Sequence, residues 1–285
     1  MTALPTVRRR MLGSELRSIR EELGLTVNEM AERLGWPQSK VSRVETGRSG
    51  IRPHEVEATL DAYQVTATER REALATLARE VRQRMWWTPY SDVITQRYAE
   101  YIAFEAEACS MRSFAATLIP GLFQTAEYTR AISATLQPES PPQEIDALVN
   151  VRLARQNAAL RRSDPLHVWA VLDEATLRRQ IGGPKAMASQ LHHLLTVSDE
   201  PHVTIQVLPF GTGAHSGLLG PFVILQFPLR SDLDVVHTES YVSNLHFERD
   251  NELATYSKLF QQLCAAALDV AASRDHIGLV IKDLK

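Results

Sequence analysis

Three glycines divide the first fifty residues of this chain into helix-sized pieces, and what lies between them leaves few ways to fold. Leu12, Leu16, Ile19 and Leu23 recur at helical spacing before Gly24, a natural C-terminal stop. Thr26 with Glu29 three residues on forms a capping-box pattern ahead of the apolar set Val27, Met30, Ala31 and Leu34, and Gly35 closes that run. Pro37 suits the first turn of a third helix, because its missing N–H would be unpaired there, and Val41 and Val44 supply the next stripe to about Thr46, with Gly47 as its stop. Two helices that cross steeply need a small residue at closest approach, a turn glycine that tolerates positive φ, and branched side chains to fill the angle. Ala31, Gly35, Val41 and Val44 stand at the matching positions, so the spacing predicts a helix-turn-helix.

With Val41 and Val44 inward, a rotation of 100° per residue places Ser39, Ser42, Arg43 and Thr46 on the opposite face, flanked by Gln38 and Lys40. Such side chains suit a major groove, where Gln pairs with adenine, Arg or Lys with guanine, and serine with phosphate or a base edge. Arg48 follows the helix at a position for a phosphate. The candidate DNA-contacting residues are therefore Thr26, Gln38, Ser39, Lys40, Ser42, Arg43 and Arg48. The charge distribution agrees. The whole chain carries −3, but residues 1–52 hold ten Lys+Arg against six Asp+Glu, or +4, while residues 86–285 hold sixteen against twenty-two, or −6. One part is built to meet phosphate and the other to do something else.

The run LRSIREELGLTVNEMAERLGWPQSKVSRVETGR resembles the XRE type (Cro/C1-repressor-like) of helix-turn-helix domain, including its terminal SRVETGR. That resemblance implies an ion pair between an arginine of helix one and a glutamate ending helix three, which Arg20 and Glu45 match. It also implies five helices, the last two read here at 52–62, entered by Pro53, and at 66–84, with Leu74, Leu77, Ala78 and Val81 inward. The chain departs from the family at Val27, where a phosphate-touching glutamine is usual, and at Pro37, where a polar cap is usual. The charged, alanine-rich RREALATLAREVRQRMWW also reads as a link between domains, with Trp86 and Trp87 beginning the second core.

Beyond Trp86 the pattern mixes periods. Helices are expected at 92–107, 125–136, 142–160, 174–180, 184–197 and 250–269, the last with a continuation through Val280. Extended runs fall at 111–119, 168–172, 203–208, 222–227 and 234–239, and those from 203 onward are expected to pair antiparallel. The strings EAEACSMRSFAATLIPGLFQTAEYTRAI, VRLARQ and VTIQVLPFGTGAHSGLLGPFVIL resemble the C-terminal domain of WhiJ-like, antitoxin-like actinobacterial regulators, which implies signal sensing or interaction with a small partner protein.

Enzyme chemistry needs a constellation, and none emerges. The nine histidines lack metal-ligand spacing such as HExxH, and GTGAHSGLLG lacks the ending of a phosphate loop and does not fit GxSxG around Ser216. No catalytic residue, cofactor or metal is assigned. Cys109 and Cys264, far apart, read as core thiols rather than a disulfide or zinc pair. Candidate ligand-binding residues are Arg152 and Arg155, which share a helix and suit an anion, together with Glu105, Gln124 and Tyr128, and His215 on the glycine loop. With neither a signal-peptide pattern nor a membrane span, a cytoplasmic protein is expected.

The expected fold class is α+β: an all-α, five-helix DNA-binding domain over 1–84, then an α+β sensor, interaction and dimerisation domain over 85–285 with a small antiparallel sheet. The function expected is a homodimeric transcriptional regulator on double-stranded operator DNA, its C-terminal domain sensing a ligand or partner protein. The alternative is an antitoxin-like protein that sequesters a small partner and regulates its own operon.

Overall fold

Helix stops sort the front of the chain as its glycines require. The computed structural model describes residues 7–80, 86–227, 234–240 and 244–284. Its contacts divide the chain into two units, Met1–Thr88 with Tyr98–Glu107, and Pro89–Arg97 with Ala108–Lys285. The first contains α1 (Val7–Glu22), α2 (Val27–Leu34), α3 (Gln38–Glu45), a 3₁₀ turn (Pro53–Glu55) running into α4 (Val56–Ala62), and α5 (Thr68–Glu80). Gly35 ends α2 with φ 63°, the left-handed conformation that lets the chain turn at once toward α3. Leu12, Leu16, Ile19, Met30, Ala31, Val41, Val44, Leu60, Leu74 and Ala78 form one buried cluster, while Leu77 is only partly covered. Val81 and the remainder of the expected fifth helix lie outside the described residues. Trp86 and Trp87 meet edge to face at 5.4 Å, and both fall within the first unit rather than opening the second core.

In the rest of the chain α6 (Gln96–Glu107), α7 (Ala126–Leu136), α8 (Pro142–Leu160), α9 (Glu174–Arg178), α10 (Pro184–Val197), α11 (Asp250–Ala266) and α12 (Val270–Asp283) alternate with six strands. These are β1 (Ser110–Ala115), β2 (His167–Asp173), β3 (Val203–Leu208), β4 (Phe222–Gln226), β5 (Val235–Glu239) and β6 (Asn244–Phe247). The sheet order is β3-β2-β1-β4-β5-β6.

This sheet corrects the expectation of a small antiparallel one. It has six strands and is mixed: β1, β2 and β3 run parallel, and β1, β4, β5 and β6 antiparallel. The reason lies in the connections. Helices α7 and α8 separate β1 from β2, and α9 and α10 separate β2 from β3, so each crossover returns the chain to the end where the previous strand began. The parallel half is accordingly covered over much of both faces, with Val168, Ala170, Val171 and Leu172 buried and Trp169 left partly exposed. On one face Phe114, Val171, Leu208, Phe222, Ile224 and Val236 pack under Phe260 and Leu263 of α11. Cys109 and Cys264 are free and half-buried rather than core residues. No described helix is long and apolar enough to cross a membrane.

The outer edge of β3 is closed by the segment joining α11 to α12. The Val207 N–H donates to Ser273 Oγ at 2.9 Å, and the Leu268 N–H donates to the Val207 carbonyl at 2.9 Å. A bare edge would otherwise offer these groups to another strand. Ser273 is fully buried, so Ser273→Ala strands a buried donor and is expected to cost about 1–3 kcal/mol, read as a lower urea midpoint. An unchanged midpoint would show that the edge is not held by this hydroxyl.

Candidate nucleic-acid interface

The placement of α3 is decided at its two ends. At the front, Thr26 Oγ1 accepts the Glu29 N–H at 3.3 Å and the Glu29 carboxylate accepts the Thr26 N–H at 2.7 Å, a complete capping box that starts α2. Those bonds from Thr26 hold the Glu29 carboxyl below its usual range. Pro37 begins α3 with no side-chain cap, and at the far end Thr46 Oγ1 donates back to the Ser42 carbonyl at 2.7 Å.

A buried charge network then fastens α3 to the rest of the unit. Arg20 of α1 donates from Nε and Nη2 to the two oxygens of Glu45, at 2.8 to 3.0 Å, and from Nη1 to the Leu25 carbonyl at 2.7 Å. The Tyr63 hydroxyl donates to Glu45 Oε1 at 2.8 Å. Arg20 is 7% exposed and Glu45 6%. The bond to Glu45 raises the guanidinium's pKa further, and burial, then the Glu45 charge, pushes the Tyr63 phenol far above its usual value. Two glycines make room for this. A Cβ on Gly13 would strike the Val44 and Glu45 carbonyl oxygens, and one on Gly47, whose φ is 69°, would meet the Arg10 backbone at 2.9 Å.

The face of α3 turned away from this network is the candidate reading face. Gln38, Ser39, Arg43 and Arg48 are exposed and Ser42 is half-buried. The side chains of Arg43 and Arg48 form no hydrogen bond or ion pair with any described residue. Lys40 differs: its Nζ lies 2.6 Å from Glu55 and 3.6 Å from the centroid of the Trp36 ring, so it ties α3 to the turn before α4. Burial alone would raise the Glu55 carboxyl, but bonds from Lys40 and from the Arg52 N–H bring it below its usual range. Thr26 is exposed, though its hydroxyl already serves the capping box.

Four candidates in the second unit gather around one turn. Gln124 donates to the Ile119 carbonyl at 2.7 Å, and the Tyr128 hydroxyl accepts the Ile119 N–H at 3.1 Å. The guanidinium groups of Arg152 and Arg155 converge on Gly121, leaving no room for a Cβ there. Gln156 holds the Gly121 and Gln124 carbonyls at 2.9 and 2.7 Å. Gln124 and Tyr128 are buried, so they build the turn rather than line an open cavity, and burial raises the Tyr128 phenol to about 12. His215 stands elsewhere, at the C-terminal ends of the parallel strands. Its Nδ1 accepts the Gly217 N–H at 3.2 Å and its Nε2 lies 3.6 Å from Asp173. Glu105 is buried in α6. Among the described residues no cluster of three or more His, Cys, Asp or Glu is placed to hold a metal.

Residues 98–278 match the model of a family described as Domain of unknown function (DUF5753). The chain belongs to this family. Residues 11–73 match the model of a Helix-turn-helix domain, a span that encloses Arg20, Glu45, Tyr63 and every candidate DNA-contacting residue. No curated protein and no solved structure matches the chain. The helix-turn-helix match marks a DNA-binding regulator.

Sequence reasoning found the Arg20–Glu45 pair and missed Tyr63, Gly13 and Gln190. Tyr63 sits after α4 with nothing local to announce its partner, and Gln190 reaches back from α10 to the Thr125 N–H and Phe123 carbonyl, at 2.7 and 2.6 Å. Only Gly13 carried a signal, a glycine in mid-helix where none is needed for a turn.

Two expectations follow. Arg20→Ala leaves Glu45 buried without its cation and should destabilise the first unit by about 3–5 kcal/mol, enough to unfold it; thermal melting checks this, and a fully stable variant refutes it. The second concerns His237, whose pKa is lowered to about 3 by burial, then by His246 and Arg155. Its folded value lies below the unfolded one near 6.5, so its contribution is complete above that pH and is lost as pH falls toward 3. Urea midpoints at pH 7 and pH 4.5 should fall more for the native chain than for His237→Asn.

Proposed function

We propose that the chain is a sequence-specific transcriptional regulator of the XRE type, cytoplasmic and homodimeric, that reads a palindromic operator through α3. The observation that carries this reading is that α3 is fixed from behind by Arg20, Glu45 and Tyr63 while Gln38, Ser39, Ser42 and Arg43 face outward. A reading helix must be rigid before it meets the groove, since base contacts discriminate only if their geometry is set in advance. In this reading Arg43 contacts a guanine, Gln38 an adenine, Ser39 and Ser42 the base edges or backbone, and Thr26 and Arg48 the phosphates. Lys40, paired with Glu55, acts as a brace.

Dimerisation is supported by energetics. One small module buries about 600–1,000 Å² on DNA, and two recognition helices about 34 Å apart reach useful specificity. The larger unit then supplies the dimer contact and receives an effector or partner. The reading assigns no catalysis to it.

Selection of binding sequences from a random duplex pool, followed by titration of the best operator, tests this. Arg43→Ala should weaken operator binding by about 1–3 kcal/mol and relax preference at one base. Arg48→Ala should weaken all sequences alike and reduce the salt slope by about 1. Equal operator binding by Arg43→Ala and the native chain would remove Arg43 from the reading face.

A further inference from the structure

Arg112 stands where a charge is least expected. It lies in β1, an interior strand, on the face covered by α11, and is paired across the sheet with Trp169 of β2 and Ile224 of β4. Its guanidinium carbon is 5.9 Å from the centroid of the buried Phe260 ring, and Trp169 meets the same ring edge-on at 5.7 Å. Arg112 Nε is buried with no hydrogen-bond partner, and the side chain makes no ion pair with any described residue. Several other arginines of the chain are matched: Arg20 by Glu45, Arg71 by Glu57 and Asp61, Arg178 by Glu174, Arg274 by Asp199.

The surroundings explain why no carboxylate among the described residues reaches it. Strands β1 and β3 contain none, and the one in β2, Asp173, lies at the far end and caps α9. The acids of α11, Asp250 and Glu252, are confined to its first turn. Beside this cation Trp169 is 41% exposed, a large aromatic left open on a central strand. Its ring is held in place, because Nε1 donates to Gln206 Oε1 at 2.8 Å and Gln206 Nε2 donates to the Leu268 carbonyl at 2.8 Å. Thr204, paired with Trp169, and Ser110, which donates to Gln226 at 2.9 Å, give the patch a polar border.

A fixed aromatic surface next to a guanidinium without an acceptor is the anchor of an interface. We propose that Arg112 and Trp169 dock an acidic segment of a partner protein, one presenting an Asp or Glu beside a large apolar side chain. The carboxylate completes the bonds Arg112 lacks, and the apolar neighbour covers Trp169. The exposed part of the ring lies beside α11, on a sheet face that the helix covers only in part, which fits a polypeptide. This deepens the reading that the larger unit receives a partner. Its test uses no DNA, so its failure leaves the operator reading standing.

The experiment displays random-sequence peptides to the full-length chain and measures selected peptides, as synthetic probes, by fluorescence polarisation. Peptides with Asp or Glu next to Leu, Phe or Trp should be enriched. Their affinity should fall about tenfold or more in Arg112→Met, in Trp169→Ala and when the peptide acid becomes its amide. Arg112→Met keeps an apolar stem over Phe260 and removes an unpaired charge, so its melting temperature should not drop. No enrichment of acidic peptides, equal binding by the variants, or a lowered melting temperature in Arg112→Met would overturn the proposal. So would a native dimer that Arg112→Met dissolves, which would make the occupant a second copy.

Discussion

Everything the first unit offers to DNA depends on one buried carboxylate. Glu45, at the end of α3, takes three hydrogen bonds from Arg20 and one from Tyr63, partners that come from α1 and the end of α4. Burying a carboxylate is costly, and that cost is offset only by bidentate geometry and full use of its lone pairs. The network therefore tolerates little movement among three helices. Gly13 and Gly47 express the same constraint sterically, since the backbones of α1 and α3 meet where a methyl group would not fit. The fixed placement of α3 is a by-product of solving a desolvation problem.

The second unit is held by a different device. Its crossover helices commit β1, β2 and β3 to one direction, and buried amides then settle the loops: Gln124, Gln156 and Gln190 together occupy carbonyls at 119, 121, 123 and 124 and the N–H of Thr125. An amide can donate and accept at once, so it satisfies irregular backbone without bringing in a charge. Pro120 and Gly121 break regular structure there, and side-chain amides take the place of the missing ladder.

Legibility in the sequence follows the range of the physics. The helix-turn-helix was readable because its signals are local: a capping box spans three residues, and a left-handed glycine states its own backbone. The Arg20–Glu45 pair, separated by 25 positions, was reachable only through resemblance. Helix positions in the larger unit were also legible, whereas the direction of its strands was not. Val203–Leu208 has the composition of a strand in either orientation, and only the helical crossovers before it make it parallel. The short β6 had too few residues for any pattern to show. Among the candidate ligand residues, the placement of Arg152 and Arg155 on neighbouring faces of one helix could be read from helix geometry. The closure of Gln124 and Tyr128 onto the Ile119 backbone could not, because it depends on a turn conformation that spacing does not specify.

Charge shows the same limit from another side. The excess of +4 over residues 1–52 counts side chains by formal sign, yet the fold uses several of them internally. Arg20 neutralises Glu45, Arg17 pairs with Glu21, and Lys40 is taken up by Glu55 and the Trp36 ring. What stays exposed is the remainder, in which Arg43 and Arg48 stand out by position on and just beyond α3. Their fields are unopposed by a bonded carboxylate, so they act over the Debye length of about 8 Å at physiological salt. In the larger, acidic unit Arg112 is such a remainder: among the described residues, no carboxylate is paired with it.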